Sequence, residues 1–295
     1  MRRLPFVQLD VFTRTPLQGN QLAVFTDATG LSDEEMQRIA KETNLSETTF
    51  IFPRDRETEA RQGVRVRIFT VEEELPFAGH PTLGTATVIR GYMGGGEKVD
   101  LHLNVGKIPV TFRDENSGPA FSEMRQNDPT FTETHSARDI AEIARISADD
   151  IRTDLPIQTV STGNPFIIVP LKSIRAIELL ELNHRAARAY LEKTSAHFIY
   201  FLTTETSSPD AQIHARMIFY NGEDPATGSA AGPAIAYLVE HGVIASEQRV
   251  IIEQGLEMGR PSQLYVRAKK ENGRVIDVHV GGYAVEIARG EYRLP

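Results

Sequence analysis

The chain has 295 residues, with 32 Lys and Arg against 40 Asp and Glu, a formal charge of −8, 40% hydrophobic residues and no cysteine or tryptophan. That length predicts about two globular domains, and the missing cysteine excludes disulfides, thiolate-held zinc or iron–sulfur sites and any thiol nucleophile. The acidic balance argues against a nucleic-acid partner, since Lys/Arg runs stop at pairs such as Arg2-Arg3 and Lys269-Lys270. No apolar run nears the ~18 residues of a membrane span. Asp10 arrives too soon for a signal-peptide core. The chain therefore reads as soluble and cytoplasmic, acting on small molecules or proteins.

In chain order, a strand is expected over residues 6–13, a Gly19-Asn20 turn, and a second strand over 21–26. Ser32 with Glu35 three positions later has capping-box spacing and opens a helix. Residues 49–52 and 64–70 read as strands, the latter alternating Val64, Val66 and Ile68 with Arg65 and Arg67. The segment Leu75-Pro76-Phe77-Ala78-Gly79-His80-Pro81 then leads into an apolar helix over about 82–92. Gly94-Gly95-Gly96 and Asn116-Ser117-Gly118-Pro119 read as turns or linkers. The second half repeats the pattern: a strand over 164–171, a helix over 174–193, strands over 198–203 and 211–219, and a helix after Gly228.

This likeness extends to a shift of 149 residues. It carries Val66-Arg67-Ile68-Phe69 onto Ala215-Arg216-Met217-Ile218, Glu74 onto Glu223, Pro76 onto Pro225 and Gly79 onto Gly228. The same shift matches Ser46 with Ser195, Phe52 with Phe201, Leu103 with Ile252 and Gly106 with Gly255, while Gly19-Asn20 meets Gly163-Asn164 at 144. An internal duplication follows: two α+β halves, each with many strands and one main apolar helix.

Both apolar helices are entered through glycine-bearing turns, Ala78-Gly79-His80-Pro81 and Asp224-Pro225-Ala226-Thr227-Gly228-Ser229. A helix start leaves backbone N–H groups without intrahelical partners and carries the positive dipole end, so each turn is either a capped helix or a cradle for a carboxylate or phosphate. The halves differ at Glu47 (Ala196 at 149), His80 (Ser229) and Asp224 (Leu75). Glu47 reads as an exposed acid at a strand start or as a partly desolvated acid–base group. His80 reads as a helix-start histidine or a site residue, and Asp224 as an N-cap or a site residue. Phosphate loops, dinucleotide fingerprints and metalloprotease motifs are absent. Gly228-Ser229-Ala230-Ala231-Gly232 misses the serine-hydrolase elbow by one position. His184, His197, His214 and His279 read as structural or surface groups.

Four motifs in order resemble the PhzF family of phenazine-biosynthesis-like proteins across nearly the whole chain. They are Leu9-Asp10-Val11-Phe12 with Leu17-Gln18-Gly19-Asn20, Asn44-Leu45-Ser46-Glu47-Thr48, Phe77-Ala78-Gly79-His80-Pro81-Thr82-Leu83-Gly84 and Glu223-Asp224-Pro225-Ala226-Thr227-Gly228-Ser229. The resemblance implies an α+β diaminopimelate epimerase-like fold: two pseudo-twofold-related barrel-like domains, each wrapped around a central helix, with the site between them and a homodimeric assembly. It places an N-terminal domain at 1–128 plus 282–295 and a C-terminal domain at 129–281. It implies Glu47 as general acid–base, with His80 and Asp224 orienting substrate and assisting proton movement. Ser46, Gly79, Gly228, Ser229 and Asn20 would bind the substrate, without cofactor or metal. The activity implied is an isomerisation that moves a proton on a small cyclic amino- or hydroxy-carboxylic acid, the trans-2,3-dihydro-3-hydroxyanthranilate step being the leading candidate. An epimerase or racemase on another metabolite, and a metabolite-binding protein without catalysis, are the alternatives. The acid-rich Thr70-Val71-Glu72-Glu73-Glu74 and the Asp224-Pro225 pair depart from the family pattern and leave the substrate open. Epimerases of the resembling fold use a cysteine on each glycine-bearing turn; here Gly79 and Asp224 stand in those places, which favours one carboxylate over two thiols.

Overall fold

A computed structural model describes residues 1–92, 94, 96–219 and 222–294. Two compact units share them, Met1–Arg125 with Gly281–Pro295, and Gln126–Val280.

Unit 1 opens with β1 (Arg2–Val11) and β2 (Asn20–Phe25), followed by α1 (Asp33–Thr43), β3 (Glu47–Phe52), α2 (Arg56–Gln62), β4 (Val64–Phe69) and β5 (Glu74–Leu75). Then come α3 (Gly79–Tyr92), β6 (Lys98–Leu103), β7 (Gly106–Arg113) and β8 (Phe121–Arg125). The expected capping box forms: the Glu35 amide donates to Ser32 Oγ at 3.2 Å, and the Ser32 amide donates to Glu35 Oε2 at 2.9 Å. Asn44, left-handed at φ 54°, ends α1 three residues before β3. Helix α2 has no apolar face, with no buried residue, and the sequence reading had no element there.

Unit 2 begins with β9 (Thr130–Thr134), α4 (Ala137–Ala144), β10 (Gln158–Ser161) and β11 (Pro165–Pro170), then α5 (Ile174–Glu178) and α6 (His184–Leu191). It continues with β12 (Phe198–Thr203), β13 (Ile213–Phe219), β14 (Gly222–Asp224), α7 (Gly228–Glu240), β15 (Val250–Gln254), β16 (Ser262–Glu271) and β17 (Arg274–Gly282). The last strand, β18 (Ala284–Leu294), returns to pair antiparallel with β1. The single helix expected over 174–193 is two. Glu181 and Asn183 turn their amides to the Ala144 and Ile143 carbonyls of α4, and the Asn183 side chain then caps a fresh helix by accepting from the Ala186 amide. The turn expected at Gly94-Gly95-Gly96 includes Gly95, which lies outside the described residues.

The two units repeat one pairing scheme. In unit 1, β1–β2 is antiparallel, β2–β3 parallel, β3–β4 and β4–β5 antiparallel, β4–β6 parallel and β6–β7 antiparallel. In unit 2, β10–β11, β11–β12, β12–β13, β13–β14, β13–β15 and β15–β16 follow in the same order and sense. A repeated ion pair sets the register: Arg67 grips Glu74 with Nε and Nη2, and Arg216 grips Glu223 with the same two nitrogens. That fixes β4 and β13 at the shift of 149. The neighbouring strands are displaced from it. Ile51 faces Val66 where Leu202 faces Ala215, and Leu101 faces Val64 where Ile252 faces Ile213. Glu47 therefore corresponds to Phe198, not Ala196. The matches of Ser46 with Ser195, Phe52 with Phe201, Leu103 with Ile252 and Gly106 with Gly255 are likewise off the ladder register by two residues. Length changes in connecting loops produce this, and a gapless comparison cannot register them. The 144 shift at Gly19-Asn20 agrees with the ladders, because Leu22 faces Glu47 as Phe166 faces Phe198.

Each unit's main helix is buried almost all round, as an apolar helix inside a curved sheet must be. Helix α3 packs on β1, β2, β3, β6, β7, β8 and β18, and α7 on β10, β11 and β16. Close approach is bought with glycine: a Cβ on Gly84 would meet Leu22 and Val11 side chains at 2.5 and 2.8 Å.

Candidate active site

Three elements of unit 1 start at one place. Parallel pairing of β2 with β3 puts Asn20 and Glu47, their first residues, at the same sheet end, and His80 is the second residue of α3. Asn20 follows Gly19, whose φ of +72° and close approach to Val11 O (2.3 Å from an added Cβ) admit only glycine.

His80 is buried, with Nε2 3.5 Å from Glu47 Oε2 and Nδ1 3.2 Å from Asn20 Nδ2. Burial pushes the imidazole down to about 3, partly offset by the Gln21 backbone, so the ring is neutral at neutral pH. Nδ1 lies within hydrogen-bond distance of the Asn20 side-chain amide, whereas Nε2 faces the Glu47 carboxylate without a hydrogen bond to it. The Glu47 side chain is 16% exposed, with its Oε2 buried against His80. Ser46 lies partly exposed beside it, and Gly79 starts α3, where the first N–H groups have no intrahelical acceptor.

In unit 2, Asp224 closes β14 and is buried. It does not cap α7. The N-cap is Thr227, whose hydroxyl makes no cap bond and donates to Asp224 Oδ2 at 2.7 Å. Gly228 and Ser229 open the helix, and Gln126 Nε2 donates to the Gly228 carbonyl at 2.9 Å. The sequence reading missed Gln254, at the end of β15 and wholly buried. Its amide bonds to Asp224 O, Thr227 N, Thr227 Oγ1 and the Tyr200 hydroxyl. The available signal was Glu253-Gln254, two polar residues ending an apolar strand just before a glycine.

Thus Glu47, His80, Asn20, Ser46 and Gly79 gather within unit 1, and Asp224, Gly228 and Ser229 within unit 2. Chemically, the first group sets a carboxylate against a neutral imidazole, a pair suited to accepting and returning a proton. The second offers helix-start amides beside a fixed carboxylate.

The family model described as "Phenazine biosynthesis-like protein" matches residues 9–290. A trans-2,3-dihydro-3-hydroxyanthranilate isomerase of Pseudomonas aeruginosa is 35% identical over 290 residues, 97% of this chain and 98% of that one. A PhzF-family phenazine biosynthesis protein of Bacillus anthracis superposes with a TM-score of 0.89 at 28% identity, covering all of both chains. A probable proline racemase of Agrobacterium radiobacter K84 shares the fold alone, with a TM-score of 0.67 at 10% identity over 99% of this chain and 93% of that one. The fold is that of the diaminopimelate epimerase-like superfamily, and the chain belongs to the PhzC–PhzF family of phenazine biosynthesis-like proteins and is an isomerase.

Proposed function

We propose that the protein moves a proton on a small cyclic amino- or hydroxy-carboxylic acid, with a trans-2,3-dihydro-3-hydroxyanthranilate-type compound as substrate. The observation that carries this is the Glu47 carboxylate 3.5 Å from the Nε2 of a buried, neutral His80. Glu47 takes the proton from one ring carbon and returns it to another, which a single carboxylate does on one face of the ring. His80 orients the substrate and keeps the carboxylate directed at it, with its ring held by the Asn20 side chain at 3.2 Å. The amides of Gly79, Gly228 and Ser229 and the Ser46 hydroxyl hold the substrate carboxylate, and Asp224 fixes its amino or hydroxyl group. This chemistry uses neither cofactor nor metal, and the family resemblance adds a homodimer, which light scattering tests.

The experiment is turnover in D₂O, followed by mass, for wild type, Glu47→Gln and Asp224→Asn. Deuterium enters product with wild type, and Glu47→Gln loses at least ~10²-fold in kcat, the scale of general acid–base groups. Losses in the Glu47→Gln/Asp224→Asn double variant fall short of the product of the single losses, because both groups act on one substrate. Unchanged turnover in Glu47→Gln ends the assignment. Conversion of a stereocentre with no double-bond shift moves the reading to epimerisation.

A further inference from the structure

The duplication supplies an internal control for what surrounds Asp224. By ladder register, Asp224, Thr227, Gln254 and Tyr200 of unit 2 correspond to Leu75, Ala78, Leu103 and Thr49 of unit 1. The same turn into the same helix is thus built in unit 1 with none of the four polar side chains' bonding. There Thr82 Oγ1 simply donates to the Ala78 carbonyl at 2.6 Å. Burying a glutamine amide, a tyrosine hydroxyl and an aspartate is costly, and the fold demonstrably closes this turn without them.

The bonding of Gln254 leaves no ambiguity of orientation. A backbone N–H must face its oxygen and a backbone C=O its nitrogen; Thr227 N lies 3.2 Å from Oε1 and Asp224 O lies 2.7 Å from Nε2. Nε2 therefore donates its second proton to Thr227 Oγ1 at 2.9 Å, and Oε1 also accepts from Tyr200 at 3.0 Å. With its oxygen already accepting from Gln254, the Thr227 hydroxyl is left to point its own proton at Asp224 Oδ2, 2.7 Å away. One buried amide so fixes both the main chain of Asp224 and the direction of its carboxylate. Next to it, a Cβ on Gly255 (φ +80°) would strike Pro225 O at 2.6 Å and Arg260 O at 2.5 Å, so only glycine lets the strand end approach the turn this closely.

We propose that Gln254, braced by Tyr200 and acting through the Thr227 hydroxyl, is the positioning residue that orients Asp224 toward the substrate's amino or hydroxyl group. This rests on the proposed role of Asp224. Gln254 touches no substrate; its effect passes through hydrogen-bond direction, where a misplacement near 1 Å costs on the order of 10²-fold in rate.

The test uses the full chain with Gln254→Leu, which installs the side chain of unit 1, Thr227→Val and Thr227→Ser, each alone and combined with Asp224→Asn. Gln254→Leu and Thr227→Val are expected to lower kcat ~10–100-fold with KM changed far less. Thr227→Ser recovers most of that loss, and none of the three adds to Asp224→Asn. Independently of substrate, NMR of Thr-labelled protein should show a slowly exchanging Thr227 hydroxyl proton that disappears in Gln254→Leu. Unaltered kcat with the hydroxyl signal retained in Gln254→Leu overturns the proposal, as does a loss fully additive with Asp224→Asn. If wild type converts no dihydrohydroxyanthranilate-type compound yet the hydroxyl signal is lost in Gln254→Leu, the clamp stands and the substrate reading falls.

Discussion

His80 is a base that burial has disarmed. Its ring is held near 3 against an ordinary 6.5, so it stays neutral through the range in which Glu47 would exchange protons with a substrate. Neutrality suits a residue that faces the carboxylate and never competes for the proton in flight. The expected outcome is an imidazole whose NMR shifts remain those of the neutral form from about pH 8 to 5, and a pH–rate profile in which His80→Gln moves the height and not the limbs. A limb that vanishes in His80→Gln would assign that ionisation to the histidine after all. Glu47, His80 and Asp224 were legible as candidates because they break the symmetry of a duplicated sequence. Their states were not: residue identity carries no burial.

Among elements, the duplicated ion pairs show how similar sequence acquires different energetics. Arg67 pairs with Glu74 and also reaches the exposed Asp33, with 17% of its side chain open to water. Arg216 pairs with Glu223 and donates to the Ile177 carbonyl, with 9% open. Removing one partner of a buried pair strands the other, at about 3–5 kcal/mol in the fully buried limit. Arg216→Leu is therefore expected to destabilise more than Arg67→Leu, by roughly 1–2 kcal/mol once the greater solvent screening around Arg67 is allowed for. Urea midpoints of the two variants decide it, and equal losses would mean that the deeper burial counts for nothing. The capping box at Ser32 and the strand at 198–203 could be read directly, since their signals lie within a few residues. The break between α5 and α6 could not, because it is made by carbonyls of α4 some forty positions upstream.

For the molecule as a whole, two histidines set opposite pH limits. His214 is buried, which works against its charge, but hydrogen bonds to Glu257 and Glu253 at 2.8 Å outweigh this and hold its pKa above 6.5. A raised folded value means stability fully present below the unfolded 6.5 and lost as pH climbs through the folded value. His80 is lowered, so as pH falls from 6.5 toward 3 the unfolded chain takes up a proton that the folded chain refuses, and stability declines. Urea midpoints across pH should thus drop on both sides of a maximum near 6.5. His214→Asn flattens the alkaline side, and His80→Asn lessens the acid-side slope, to which His102, His135 and His241, lowered by burial as well, also contribute. An alkaline slope unchanged in His214→Asn would show that the imidazolium between two carboxylates adds no pH-dependent stability.

The sequence by itself determined the leading strands and the main helix of each half, the duplication, the two glycine turns and the residues that make the halves unequal. Period, capping spacing and turn chemistry act over a few positions, so they survive in a string of letters. The tertiary structure decided the ladder register that makes Phe198 the counterpart of Glu47, the role of Thr227 as N-cap in place of Asp224, the neutral state of His80 and the clamp built by Gln254. Most depend on groups tens of positions apart brought into contact, as His80 with Asn20 and Gln254 with Tyr200, and on water removed from around them. Hydrogen-bond direction and charge state are settled by that contact and not by composition.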